Sequence, residues 1–339
     1  MTSSFLELRL PPGASAITDV DEEIFLLYTA LNRANTKPLT GPDGYRGLGH
    51  VDSRKDMLTI QFTLTAPTED ASCTGISEQK QSHKSSTRKQ VKKRKSPMVR
   101  SVEIEIAQDK TALRSRKGDT GSVVWRASVE FARAFLQQYY FPSADAVFDH
   151  SKLAECHCLE LGSGTGLLGV VLSPLFCSYT ATDIAALLPL IRKNVSQNFD
   201  RDNSGARSQK TNLSVEELDW LTLSSLSPGL PRARYCPRPV TSESNDAWDL
   251  VLVVDCIYHP SLLSPLVDTI GAVSTPGRTW VLVVVELRQE DVVREFLDLW
   301  LKHDVGNWSI ARIDLLDENY AVWAGHRGTA CETFDTRPV

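Results

Sequence analysis

The sequence predicts an α/β fold, with a mostly parallel sheet covered by helices on both faces, and two observations carry that expectation. The first is alternation: from about residue 124 onward, short apolar runs that suit strands are separated by segments with apolar residues at helical spacing. The second is the glycine-rich stretch Leu159-Glu160-Leu161-Gly162-Ser163-Gly164-Thr165-Gly166-Leu167-Leu168-Gly169, which sits where one apolar run gives way to a helical pattern. Strands of a parallel sheet read as unbroken apolar runs because helices bury both of their faces.

Taken in chain order, Leu58, Ile60, Phe62 and Leu64 alternate with polar neighbours, as do Val102, Ile104 and Ile106 with Glu103 and Glu105. This period of two predicts a pair of half-buried strands joined as a hairpin. Between them, residues 69–97 are Ser, Lys, Gln and Arg with almost nothing apolar, so burial cannot offset the entropy of ordering them; a disordered basic insertion is expected. Ala127, Phe131, Phe135, Leu136 and Tyr139 mark an amphipathic helix over 124–140. A strand at 156–161, a helix at 166–175, a strand at 179–182 and a helix at 185–199 follow. Further on come a strand at 250–254, a helix near 262–270, a strand at 280–285 and a helix at 290–301. The runs 310–315 and 320–323 are too close for a crossover helix, which predicts an antiparallel hairpin at one edge of the sheet. Residues 223–246, rich in Ser, Pro and Arg, read as a second insertion, and the last dozen residues as a frayed tail. The expected organisation is an N-terminal extension over 1–118, a main domain over 119–327 and a tail over 328–339.

Composition narrows the function classes. Hydrophobic residues at 42% and charged residues at 23% suit a soluble globular chain, and no apolar run approaches the ~20 residues that cross a bilayer. The opening residues lack the basic-then-apolar layout of a secretory signal, so a cytoplasmic or nuclear location is expected, with no membrane partner. The seven cysteines include no Cys-x-x-Cys pair and lie mostly in apolar runs, as reduced core thiols do. The net charge of −5 is uneven: nine Lys or Arg and no acid fall between Lys80 and Arg100, so the rest of the chain carries −14. An acidic body attracts basic partners, which points to a Lys/Arg-rich protein rather than nucleic acid as substrate. The run Lys92-Lys93-Arg94-Lys95 fits a solvated loop, a nuclear signal or an arm touching RNA.

The glycine stretch reads as a cofactor cradle, because a backbone that turns sharply and lies close to a ligand has no room for a Cβ. Gly164-x-Gly166-x-x-Gly169 also satisfies the dinucleotide pattern, so the loop alone does not identify the nucleotide. Glu160 ends the first strand, where its carboxylate is expected to organise the loop around a charged amino-acid moiety. Asp183 ends the next strand, where a carboxylate accepts both hydroxyls of a ribose; this suits NAD and S-adenosylmethionine (SAM) alike.

A second motif separates them. An apolar strand ending in Val254-Asp255-Cys256-Ile257-Tyr258, some ninety residues after the loop, resembles the Asp-x-x-Tyr signature of the seven-β-strand protein-lysine methyltransferases. Thr120-Gly121-Ser122-Val123-Val124-Trp125 looks like that family's lead-in motif, and Leu218-Asp219-Trp220 like its adenine-side motif. The pattern spans roughly 58–327 and is most similar to the fungal members that methylate ribosomal lysines. The resemblance implies the seven-stranded, mostly parallel, Rossmann-like sheet of class I SAM-dependent methyltransferases, with a β-hairpin extension before it. It implies SAM as cofactor, held by Trp125, Glu160, Gly162, Ser163, Gly164, Asp183, Trp220 and Val254, and no metal. Asp255 and Tyr258 become the expected catalytic pair, with Asp255 orienting the acceptor ammonium and Tyr258 packing beside it. The expected reaction is N-methylation of a lysine on a large-subunit ribosomal protein; a SAM-dependent enzyme acting on RNA or a small molecule is the alternative.

Overall fold

The computed structural model describes residues 8, 16–35, 49–67, 98–110, 120–143, 146–199, 211–239, 247–303 and 307–328. The expected disordered insertion at 69–97, the segment 240–246 and the tail beyond 328 lie outside them. Helix α1 (Val20–Asn35) opens the described chain and is followed by strands β1 (Met57–Thr65) and β2 (Val99–Ala107), then α2 (Arg126–Tyr140). Next come β3 (His157–Leu161), α3 (Leu167–Leu172), β4 (Ser178–Asp183), α4 (Leu188–Phe199) and β5 (Leu213–Glu217). Two short helices, α5 (Trp220–Ser225) and α6 (Leu230–Tyr235), precede β6 (Leu250–Val254), α7 (Pro260–Val273), β7 (Trp280–Glu286), α8 (Glu290–Leu301), β8 (Trp308–Arg312) and β9 (Tyr320–Arg327).

Seven strands form one sheet in the order β5-β4-β3-β6-β7-β9-β8. The first five run parallel, and β9 enters antiparallel between β7 and β8. The order in which successive strands are added reverses between β3 and β6, and such a switch point opens a crevice at the carboxyl ends of the strands. Period-two alternation divides the core in two. Cys158, Leu250, Leu252 and Val284 face α2, α3, α4 and the β1–β2 hairpin. Leu159, Leu161, Val251, Val253 and Val283 face α1, α5, α7 and α8.

The hairpin is antiparallel, pairing Met57 with Ala107 through Thr65 with Val99, as its alternating pattern predicts. Its inner face, Leu58, Ile60, Phe62 and Leu64, joins the core on the side of α2. The fully buried Asn194 of α4 fixes the hairpin's end: Ala107 N–H donates to Oδ1 (2.7 Å), while Nδ2 donates to the Ala107 and Thr165 carbonyls (3.0 and 2.8 Å). One side chain therefore satisfies backbone groups of both the hairpin and the glycine loop, which burial would otherwise leave costly.

Four elements, α1, β5, α5 and α6, lie where the sequence reading placed none. Helix α1 starts after Asp19, whose Oδ1 accepts from the Asp21 and Glu22 N–H groups, and packs on α8. The Trp323 indole N–H donates to Glu23 Oε1 (2.9 Å) and tethers the helix to the sheet, while Ala16 and Ile17 bridge to β8. Strand β5 is polar (Leu-Ser-Val-Glu-Glu) because it is an edge strand, and α6 falls within the expected insertion at 223–246. The closing hairpin is antiparallel as expected, but β9 reaches Arg327 and is the inner strand.

Candidate functional site

The glycine loop leaves β3 with Gly162, Gly164 and Gly166 all at positive φ (71°, 55° and 76°), a region in which side-chain-bearing residues are strained. Gly164 has a second constraint. A Cβ there would lie 2.9 Å from the carbonyl oxygen of Gly121, so the loop and the lead-in segment press together backbone to backbone. Two bonds hold the loop to β4: Ser163 N–H donates to the Thr182 carbonyl (2.9 Å) and Gly164 N–H to Asp183 Oδ2 (2.8 Å).

Beyond the loop lies a cavity of about 240 Å³ at the carboxyl ends of β3, β4 and β6. Gly162, Ser163, Gly164, Asp183, Trp220 and Val254 line it, as do Trp125, Asp255 and Tyr258, so nine of the ten residues singled out in the sequence converge on one space. Asp183 presents its carboxylate there while also accepting the Ile184 N–H at 2.8 Å. Asp219 caps α5 through Leu221 N–H (3.0 Å), which sets Trp220 at the first helical position. The Trp220 ring packs on Gly162, and its buried indole N–H has no protein partner. Trp125 differs: its indole N–H is already spent on the Thr120 carbonyl (2.8 Å).

The tenth residue requires a correction. Glu160 does not line the cavity; it lies on the same strand face as Cys158, inside the core layer. Its carboxylate accepts from the Tyr179 hydroxyl (2.9 Å), and burial pushes its pKa up to about 7 against the opposing pull of that bond. Glu160 thus supports the loop from beneath, off the cavity wall, because it lies one residue back from the end of β3 and is packed on Tyr179 inside the core layer.

Asp255 has a left-handed backbone (φ 58°), uncommon for a residue other than glycine, and its side chain is only 2% exposed. Arg288 grips its carboxylate with both ends of the guanidinium, Nη1 to Oδ1 at 3.0 Å and Nη2 to Oδ2 at 2.7 Å. The same Nη2 donates to Glu286 Oε2 at 2.8 Å. Burial works to lower the Arg288 pKa, but the bonds and charges of Asp255 and Glu286 outweigh it and leave it raised. Arg288 also stands 5.0 Å from the centroid of Trp125, against which His50 packs edge-on at 4.4 Å. Burial, then Arg288 and Arg126, lower the His50 pKa, with Asp255 opposing them. The sequence reading missed His50, Glu286 and Arg288; a carboxylate closing strand β7 opposite Asp255 was the one local signal for the cluster.

The lining has a consistent chemistry. Among the described residues it includes three carboxylates, Asp183, Asp219 and Asp255, and no Lys, Arg or His. A pyrophosphate would meet those acids without a cation, whereas a positively charged sulfonium with a ribose and an apolar adenine would not. The unpartnered Trp220 N–H and the apolar Val254 and Leu187 walls fit S-adenosylmethionine.

Comparisons with known proteins agree with this chemistry. A family model described as lysine methyltransferase matches residues 107–303. "Ribosomal lysine N-methyltransferase 5" of Candida glabrata is 26% identical over 331 residues, covering 83% of this chain and 88% of that protein. "Protein N-lysine methyltransferase METTL21A" of Mus musculus is 28% identical over 188 residues, covering 55% of this chain and 68% of that protein. "Diaminohydroxyphosphoribosylamino-pyrimidine deaminase" of Schizosaccharomyces pombe is 33% identical over 198 residues, but these cover 58% of this chain and only 41% of that protein. The present chain has no Cys-x-x-Cys pair, a required half of the zinc-deaminase signature. The matched family and the acid-lined cavity at the sheet's switch point lead to one conclusion: the chain belongs to the lysine methyltransferase family, whose members are SAM-dependent enzymes.

Proposed function

We propose that this enzyme methylates the ε-amine of a lysine on a basic protein of the large ribosomal subunit. The observation that carries the reading is the cavity lining, with its three carboxylates and no basic side chain. The acidic body of the chain and the name of the Candida glabrata relative support a ribosomal protein as acceptor, and with it a cytoplasmic or nuclear location.

SAM supplies a methyl group on a positively charged sulfur, and the protein's task is to bring a neutral amine into line with it. Asp183 is the proposed acceptor for the ribose hydroxyls. Backbone at Gly162, Ser163 and Gly164 is assigned to the methionine end, while Trp220 and Val254 flank the adenine and Trp125 closes the side toward the acceptor. Lysine arrives as an ammonium with a free pKa of about 10.4, so a carboxylate that orients it through charge-assisted hydrogen bonds is needed before the proton leaves. Asp255 has that part, and Tyr258, also on the cavity wall, packs beside the alkyl stem. The ammonium would first give a proton to water; the neutral amine would then take the methyl group, with the electron pair of the broken C–S bond staying on sulfur.

The test is tritiated SAM incubated with isolated large ribosomal subunits, followed by hydrolysis and identification of the labelled residue. Methyl-lysine in a ribosomal protein is expected; label in RNA would overturn the assignment. Asp255→Ala should keep SAM binding by calorimetry while labelling falls on the order of 100-fold or more. Parallel loss of binding and labelling would refute this division of labour between Asp255 and the loop.

A further inference from the structure

We propose that Arg288 is a positioning residue of the acceptor site, clamping Asp255 and Glu286 into one cluster that keeps a single net negative charge for the incoming lysine ammonium. The inference rests on the lysine-methylating reading above and adds the residues that set its charge.

Three hydrogen bonds from one guanidinium build the cluster: two to Asp255 at 3.0 and 2.7 Å, and one to Glu286 at 2.8 Å. Because Nη2 serves both acids, their carboxylates are held side by side, where without a cation they would repel. The side chains are 2% exposed for Asp255, 7% for Glu286 and 29% for Arg288, so the field between them is weakly screened. Backbone fixes the cluster from below: Asp255 N–H donates to the Val284 carbonyl (2.7 Å), and Glu286 N–H to Asp255 Oδ1 (3.3 Å).

A strap closes it from above. Gly49 lies so near that a Cβ would fall 2.4 Å from Arg288 Nη2 and 2.7 Å from Glu286 Oε2, and its φ of 96° suits glycine alone. The strap is pinned to α2 and the residues before it, since Val51 N–H donates to the Val124 carbonyl (3.0 Å) and Arg126 N–H to the Gly49 carbonyl (2.9 Å). Trp125 forms the side wall and also lines the cavity, so cluster and cavity share the boundary formed by Trp125 and Asp255.

The charge count follows. Two anions and one cation are hydrogen-bonded together, and the cavity they border has no cation of its own among the described residues. The other ionisable groups around them are His50 on the strap, kept toward its neutral form, and the Cys256 thiol, whose burial favours the protonated form; Arg126 on α2 acts on His50 and lies outside the three hydrogen-bonded groups. A lysine ammonium reaching Asp255 would bring the cluster to two cations and two anions. A buried ion pair alone is weak evidence for a role, since apolar replacements are often tolerated. Here the guanidinium serves two acids, stacks near a cavity-lining indole and lies under a glycine strap, which a simple structural pair does not require.

Three variants test this with SAM and the protein fraction extracted from large subunits. Arg288→Met should bind SAM as the wild type does, while kcat/KM for the protein fraction falls on the order of 30-fold. Arg288→Lys should recover part of the loss by restoring the charge without the fork. Glu286→Gln keeps an oxygen for Arg288 but makes the cluster neutral; KM for the acceptor should rise about tenfold with kcat little changed.

A loss in which Lys is no better than Met, or an unchanged KM in the Gln variant, would reduce Arg288 to a structural support and overturn the proposal. If the wild type binds SAM and labels no lysine, the functional reading fails first and this inference with it. Wild-type labelling with an indifferent Arg288→Met defeats the inference alone.

Discussion

Replacing Glu160 by Gln should stabilise the protein near neutral pH. The side chain is 3% exposed, and its carboxyl is pushed from an ordinary 4.5 to about 7, chiefly by burial and in opposition to the Tyr179 hydrogen bond. The folded state therefore holds a proton that the unfolded state releases, so stability falls as pH rises from about 4.5 to 7 and levels off above. Each pKa unit corresponds to ~1.4 kcal/mol, so ionising this group in place costs about 3 kcal/mol once pH exceeds 7. Gln has the same shape, keeps an oxygen for the Tyr179 hydroxyl and cannot ionise. Urea unfolding of both proteins at pH 5 and pH 8 gives the comparison. The advantage of Glu160→Gln should grow by about 2 kcal/mol between them. SAM affinity should stay close to wild type, since Glu160 does not line the cavity. An advantage that is the same at both pH values, or a variant less stable at pH 8, would refute the argument from burial.

Two further expectations follow from single contacts. Asp183→Asn removes a charge that accepts both the Gly164 and Ile184 N–H groups and is assigned to the ribose, so calorimetric SAM affinity should drop roughly 100-fold; an unchanged Kd would discard that assignment. Glu23→Ala strands the buried Trp323 indole N–H and should cost about 1–3 kcal/mol in urea unfolding with methyl transfer intact; no measurable loss would show that α1 is held by its apolar face alone.

What could be read in the sequence depended on how local the cause was. The loop and Asp255 each follow an apolar strand and Asp183 ends β4, so their place at the carboxyl end of a parallel sheet comes with the alternation itself. Glu160, read as a cofactor contact, lies one residue back from the end of β3 and is held on Tyr179 inside the core, which its position in the motif does not reveal. Strand β5 gave no apolar run because it is an edge strand. Helix α1 carried a readable Asp19 cap, but Phe25 and Leu26 on its exposed side blurred the stripe that marks a buried face. The Arg288 cluster was beyond reach for another reason. Its roof at Gly49, its wall at Trp125 and its acids at Asp255 and Glu286 meet only after the chain has folded across some 240 positions, and no local period encodes that.

The short pairing of Ala16 and Ile17 with β8 also bears on how the molecule behaves among its own copies. A terminal strand offers a row of amide and carbonyl groups to any extended chain that drifts by, and sheets left open in this way grow into larger assemblies. By laying its own leading segment along Ile310 and Ala311, the chain fills part of that invitation from within. The chain thereby keeps one fewer place at which its own copies can adhere.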